Sequence, residues 1–406
     1  MKKKTILHVD GNNFFASCEV LMNPTLKGKA VCVLSNNDGC VVSRSYEAKK
    51  LGVPMGIPYF MAKNKFKDVV YLSADFSLYH DISERMMKLL LNFSDKVDVY
   101  SIDEAFLDIT NLDKILKLSF NKIAEIIKNT IETQIGINVS VGIANSKMLA
   151  KLATHKAKQN KGTYYIEEKN IEKELTNIPT EDIWGVGKNT ARLLKRYGIF
   201  FANEIIKKED TFYKEIMGKR GLELKYELMG ESVIELTGIA EKPKSIQRTR
   251  AFPEFSRNKD YIKTEIFMHL HNACKKLRYY QLKTKAIAVM LRTKDFQVHF
   301  AEEKLSNITD SELNLSKIVI KLFNSIYNEE ITYRSSGIIC YSFIDEEDKA
   351  QLTLFEDKKS AKGNKLSKVI DKIEHKFGHG SLLVGEYGIK EIRNKHKREL
   401  KHREIN

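Results

Sequence analysis

Ser101-Ile102-Asp103-Glu104-Ala105-Phe106-Leu107-Asp108-Ile109 sets two adjacent carboxylates inside an apolar run of β character. In a continuous strand successive side chains point to opposite faces, so either Asp103 or Glu104 would meet the core as an unpaired charge. A hairpin bend at this point removes the conflict and brings both to the rim of a sheet. Asp10 ends another apolar run, Thr5 to Val9, and is placed to join them. Carboxylates without His or Cys suit a hard, oxygen-preferring ion, Mg²⁺ or Mn²⁺, completed by waters and substrate phosphates. Two such ions about 3.5–4 Å apart are the usual clamp for phosphoryl and nucleotidyl transfer. An ordinary turn at 103–104 with an exposed strand end at Asp10 is the competing explanation.

Working outward, Lys29 to Leu34 is a further β-rich run, and amphipathic helices are expected around 81–92 and 120–133. That interleaving predicts an α/β core. From about 170 to 237 the chain turns helical and polar, and it contains the only Trp, at Trp184. Gly238 to Lys244 has linker composition. Beyond it, strands at 245–252, 286–292, 296–301 and 336–343 alternate with helical stripes through Ile262 to Leu277 and Leu315 to Ile326. The order is β-α-β-β-α-β, so both helices would cover one face of a four-stranded sheet.

The 68 Lys and Arg against 53 Asp and Glu leave a net charge of +15 over 406 residues, which favours polyanionic partners, nucleic acid first. The excess is uneven: residues 1–110 carry 14 basic and 13 acidic side chains, residues 241–294 carry 14 and 4. Cys18, Cys32, Cys40, Cys274 and Cys340 form no C-x-x-C pair, which argues against a zinc site or a disulfide framework. No apolar run approaches the roughly 20 residues of a membrane span. The start, Met1 to Leu7, resembles a signal n-region, yet its apolar stretch stops at His8 and Asp10. A cytoplasmic, nucleoid-associated protein without a membrane partner is expected.

Leu7-His8-Val9-Asp10-Gly11-Asn12-Asn13-Phe14-Phe15, Leu34 to Val42, Tyr46-Glu47-Ala48-Lys49, Leu51 to Gly56 and Ser101 to Asp108 together resemble the Y-family of translesion DNA polymerases. More narrowly they are similar to the UmuC type, the catalytic subunit of bacterial DNA polymerase V and its plasmid and phage relatives. The likeness runs from about residue 5 to 355, and more weakly into Phe377 to Ser381. It implies a right-hand-like, α/β and α+β multidomain polymerase. The expected parts are a palm (1–25 and 79–168), small fingers (26–78), a helical thumb (169–237), a linker (238–247), a βαββαβ little finger (248–345) and a tail (346–406).

By the same resemblance Asp10, Asp103 and Glu104 are the catalytic metal-binding carboxylates, with the Gly11 carbonyl a further ligand of two Mg²⁺ ions, for which Mn²⁺ can substitute. Phe15 falls at the steric gate that excludes a 2′-hydroxyl. Tyr46, Lys49 and Lys158 match positions that hold the incoming dNTP. Many relatives have Arg where Lys49 stands, and a lysine is a point charge without a bidentate fork.

Asn145 to Lys158 reads on its own as a helix capped by Asn145 or Ser146, with Lys147, Lys151 and Lys158 on one face. Such a stripe is ordinarily solvated, and the resemblance singles out Lys158 alone. Ile183-Trp184-Gly185-Val186-Gly187-Lys188 fails the Walker pattern, which needs Gly at 182 and Ser or Thr at 189. It is similar to a helix-hairpin-helix, with Gly185, Gly187 and Lys188 offered to a DNA phosphate and Trp184 compatible with the local core. Arg248 and Arg250 are further expected DNA contacts. Gln351-Leu352-Thr353-Leu354-Phe355 resembles the sliding-clamp-binding pentapeptide.

The implied activity is low-fidelity, template-directed extension of a primer on DNA, past lesions, in the SOS damage response. The implied partners are primer-template DNA, the clamp, a RecA-type filament and a UmuD-like subunit. Two competitors stand beside it: a noncatalytic scaffold at stalled forks, and a palm-type nucleotidyl cyclase. The scaffold has no use for intact carboxylates, gate and triphosphate residues together; the cyclase leaves the basic segment unexplained.

Overall fold

The computed structural model describes residues 3–236 and 242–345, together with 366, 369–373 and 376–377. The clamp-like pentapeptide 351–355 and most of the expected tail lie outside the described residues. The chain divides into two compact units, Met1–Glu241 and Lys242–Asn406. All five cysteines are free.

The strands of the first unit are β1 (Ile6–Gly11), β2 (Val31–Leu34), β3 (Val41–Arg44), β4 (Val70–Ser73), β5 (Val97–Val99), β6 (Glu104–Asp108), β7 (Val139–Ala144) and β8 (Thr163–Tyr165). They form a five-stranded sheet in the order β5-β6-β1-β7-β8 and a three-stranded sheet in the order β3-β2-β4. The expected hairpin bend is present: β5 and β6 pair antiparallel, and the amides of Tyr100 and Ser101 both donate to the Glu104 carbonyl at 3.0 and 3.1 Å.

As the central strand, β1 is covered on both faces, which explains its nearly unbroken apolar run. Leu7 and Val9 pack with Met86, Leu90, Ile123, Ile127 and Ile131 from the helices Phe76–Leu90 and Phe120–Ile135. The first of these begins earlier than its apolar stripe, because the Asp75 carboxylate accepts the Ser77 and Leu78 amides and caps it there. Ile6 faces the other way, into a core with Ala144, Leu149 and Ala153. The period of two then puts His8 and Asp10 on that same face, under the helix Lys147–Ala157. Ser146, not Asn145, caps that helix, its side chain accepting the Leu149 amide at 3.3 Å.

Gly142 on β7 lies opposite His8 where this helix passes over the sheet. A Cβ at Gly142 would stand 2.2 Å from the Thr154 nitrogen and 2.4 Å from the Ala150 oxygen, both backbone atoms of the helix. Gly142→Ala is therefore expected to cost about 3 kcal/mol or more, read as a lowered urea midpoint. An unchanged midpoint would mean that the helix can lift off the sheet without loss.

The helices after β8 share one core with the Lys147–Ala157 helix, through Ile183, Val186, Leu194, Leu224 and Leu228 packed around Leu149 and Ala153. Glu227, fully buried in the helix Lys219–Met229, accepts the amides of Met148, Val233 and Ile234 at 3.2, 2.8 and 2.9 Å. The helical module is thus bonded directly to the start of the helix that overlies the carboxylates.

The second unit has β9 (Ser245–Ser256), β10 (Leu282–Thr293), β11 (Val298–Thr309) and β12 (Tyr333–Asp345). They form an antiparallel sheet in the order β11-β10-β12-β9, with the helices Lys259–Tyr279 and Glu312–Ile326 sharing its core. The βαββαβ order stands as expected, with strands that run past the apolar segments into polar ends. Arg248 pairs with Ile338, which belongs to that core, and so turns toward the helices, half-buried. Its charge acts on Lys276 of the Lys259–Tyr279 helix, and that of Arg250 on Tyr261. Among the described residues no helix is long and apolar enough to cross a membrane.

Candidate active site

Strand register assembles the carboxylates. Asp10 pairs with Glu104 across β1 and β6, and His8 pairs with Phe106 on the same face. Asp103, in the turn just before β6, offers its carbonyl to the Gly11 amide at 2.9 Å. A side chain at Gly11 would press on Phe14 at 2.9 Å and on the Asp103 Cβ at 3.4 Å, so glycine permits this approach. The Ser101 hydroxyl donates to Asp103 Oδ1 at 2.6 Å.

The overlying helix supplies cations. Lys151 Nζ donates to Glu104 Oε2 at 2.7 Å, and Lys158 Nζ lies 2.8 Å from Asp10 Oδ1. Lys147 turns away to Asp98 at 2.5 Å and to the Glu235 carbonyl at 2.8 Å. What resembled a solvated stripe is therefore a row of counter-ions facing carboxylates. Burial raises the Asp103 carboxyl above its ordinary value, with Asp10 adding to the effect and Ser101 opposing it. Burial likewise raises Glu104, where Lys151 opposes and the neighbouring Asp10 carboxyl reinforces. Burial and the charges of Lys151 and Lys158 push His8 well below the usual imidazole range. His8 is neutral, with Nδ1 hydrogen-bonded to the Thr154 hydroxyl at 2.9 Å.

Among the described residues no three His, Cys, Asp or Glu side chains stand close enough to enclose a metal ion. Asp10 and Glu104 are instead turned to their lysines. The donor set still fits a hard divalent cation: oxygen ligands only, partly desolvated, with raised carboxyls whose ionised form a cation would favour.

Phe15 is half-buried on the helix Phe14–Met22, stacked on Tyr79 at 4.4 Å and 15° and edge-on to Phe76 at 5.9 Å. Tyr79 is fully buried and its hydroxyl donates to Glu19 at 2.5 Å, which fixes the plane on which Phe15 rests. Tyr46 and Lys49 are exposed on the short helix Tyr46–Lys50, capped by Ser45, with the ammonium 5.4 Å from the Tyr46 ring. Burial, then Arg44 and Lys158, lower Lys49, and Asp10 opposes them. The charges of Lys158 and of Arg44, a residue sequence reading passed over, thus both act on Lys49.

Gly185 (φ +85°), Gly187 and Lys188 are exposed, while Ile183 and Val186 beside them are buried; the turn lies between a three-residue 3-10 turn, Thr180–Asp182, and the helix Lys188–Arg196. Trp184 Nε1 donates to the Tyr100 hydroxyl at 3.0 Å, and the two rings meet edge-on at 5.3 Å. Sequence reading missed Arg44 and Tyr100, and it named Lys151 only as part of a solvated stripe with Lys147 and Lys158.

The impB/mucB/samB family matches residues 9–155, and that family's C-terminal domain matches residues 243–354. Protein UmuC of Salmonella typhimurium is 32% identical over 394 residues, covering 94% of this chain and 93% of that protein. DNA polymerase IV of Dehalococcoides mccartyi is 29% identical over 398 residues, covering 97% and 100%. Among solved structures, a Y-family DNA polymerase chimera of Dbh and Dpo4 superposes with a TM-score of 0.70 at 28% identity, over 84% of this chain and 99% of the chimera. The fold, with carboxylates at its strand ends, is that of the Y-family DNA polymerases. Within that class the chain belongs to the impB/mucB/samB family, of the UmuC type.

Proposed function

We propose that the chain adds deoxynucleotides to a primer 3′-hydroxyl, template-directed and with low fidelity, and carries synthesis past DNA lesions in the SOS response. One observation carries the reading: the β1–β6 register sets Asp10 beside Glu104 and Asp103 next to both, with the Lys158 ammonium on Asp10 and the Asp10 charge acting on Lys49. A relative that is a DNA polymerase by name over nearly the whole chain supports the reaction class.

Asp10, Asp103 and Glu104, with the Gly11 carbonyl, are the residues that would hold two Mg²⁺ ions, with Mn²⁺ as a substitute. Bound there, the ions would supply Lewis acidity toward the 3′-hydroxyl and neutralise triphosphate charge. Lys158, Lys49 and Tyr46 would grip the triphosphate, and Phe15 would lie against the sugar. Positioning and preorganised charge then account for most of the rate. The exposed Gly185 and Gly187 amides, with Lys188, would meet a DNA phosphate. Arg248 and Arg250, two residues apart on β9 and so on one face of it, remain the proposed contacts to the DNA backbone, Arg250 the more exposed of the two.

Primer extension with Mg²⁺ on undamaged and abasic templates tests the reading. Distributive extension past the lesion is expected. Binding of primer-template without extension, even with clamp and RecA-type filament supplied, would leave a noncatalytic scaffold as the better account.

Gln351, Leu352, Leu354 and Phe355 are proposed to tether the chain to the replication clamp, and a UmuD-like subunit to complete the active assembly. Leu354→Ala with Phe355→Ala is expected to lower clamp-stimulated processivity about tenfold, the loss of one apolar anchor pair, while sparing basal extension. Equal loss of both would make the pentapeptide structural.

A further inference from the structure

The proposed chemistry leaves Lys151 without a task, although its ammonium is the nearest cation to Glu104, at 2.7 Å from Oε2. That ammonium also stands 4.5 Å from the centre of the Tyr100 ring and 5.5 Å from that of Trp184. The hydrogen bond from Trp184 to Tyr100 holds the two rings against each other, so this aromatic corner does not depend on Lys151 for its shape. Tyr100 leads into the turn that carries Asp103, and Trp184 leads into the Gly185 hairpin.

A lysine in this place has two favourable neighbours, a carboxylate and a pair of π faces. Leaving one does not strand the charge. Lys147, on the same helix, also has a carboxylate and a ring, Asp98 and Phe106, but it touches none of the three proposed metal ligands. Nor is Lys158 equivalent, since it faces Asp10 and the proposed triphosphate site.

We propose that Lys151 is a positioning residue: the resident cation of Glu104, released into the Tyr100–Trp184 corner when a divalent ion binds the carboxylates. It keeps Glu104 oriented and compensated while the site is empty, and it competes with the ion for the same oxygen. The inference rests on the proposed metal role of Asp10, Asp103 and Glu104. Trp184 is the chain's only Trp, so its emission reports the exchange without a label.

The test is a Mn²⁺ titration of the full-length chain, with free Mn²⁺ followed by electron paramagnetic resonance and Trp184 followed by fluorescence. In wild type, emission is expected to change in step with Mn²⁺ occupancy. Lys151→Met should bind Mn²⁺ about tenfold more tightly and lose the emission response, and Lys151→Arg should restore wild-type affinity. Lys151→Gln serves the same purpose if the Met variant does not fold. Unchanged or weaker Mn²⁺ binding on loss of the lysine overturns the inference, as does wild-type emission blind to bound Mn²⁺. The Asp103→Ala, Glu104→Ala variant separates the two failures. If it binds Mn²⁺ like wild type, the metal reading falls; if it loses Mn²⁺ while Lys151→Met changes nothing, only the role of Lys151 falls.

Discussion

Asp103→Asn with Glu104→Gln abolishes primer extension, by about 10³-fold or more, while the variant melts no lower than the wild-type chain. The two halves of this expectation have one cause. Both carboxyls are raised by burial and by the Asp10 charge beside them, so the fold holds them ionised at a cost. The amides keep the acceptors that Ser101 and Lys151 use, and remove that cost. The sign with pH follows. A carboxyl raised in the folded state disfavours folding at pH above the raised value. The penalty fades as pH falls through it and vanishes below the unfolded value of about 4. The variant's stability advantage should therefore be present at neutral pH and absent in acid. Thermal melts at both pH values, run beside primer extension, check this. A variant that melts early, or that extends normally, contradicts it.

The parts of this site that could be read from the sequence are those where backbone geometry forces a decision. Asp103 and Glu104 cannot both belong to one buried strand, and the turn at Tyr100–Asp103 is what that conflict requires. Asp10 closes an apolar run because β1 is central and buried on both faces. The second unit was legible for the same reason: its helical stripes and β runs are long enough to show their periods. Lys151 was not, because a lysine at helical spacing looks the same whether its face meets water or a sheet edge. What seats that helix on the carboxylates is Gly142, whose missing side chain lets Thr154 and Ala150 close onto β7, and a single glycine carries no such message alone. Arg248 and Arg250 show the converse. Their charge pointed to DNA, but which way they turn was decided by the pairing of β9 with β12. The aromatic corner of Tyr100 and Trp184 joins residues far apart in the chain and leaves no local pattern.

Phe15→Ala should raise the use of ribonucleotides relative to deoxynucleotides by about 10²-fold or more, measured as the ratio of the two kcat/KM values on one primer-template. A gate selects only if it cannot retreat, and Phe15 has nowhere to go. Its ring lies flat on Tyr79, Tyr79 is bonded to Glu19, and Phe76 closes the edge. A 2′-hydroxyl entering against that ring would have to displace a buried tyrosine. Truncation removes the ring and leaves Tyr79 in place, so space opens where the sugar would sit without collapse of the layer beneath. The variant should lose about 1–2 kcal/mol of stability, the worth of one stacked pair and partial burial. Glu19→Gln is the sharper companion. It keeps the shape but weakens the acceptor that fixes Tyr79, so discrimination should fall part of the way while Phe15 itself is untouched. An unchanged ratio in Phe15→Ala would place the gate elsewhere; an unchanged ratio in Glu19→Gln alone would show that stacking on Tyr79 suffices to hold the ring.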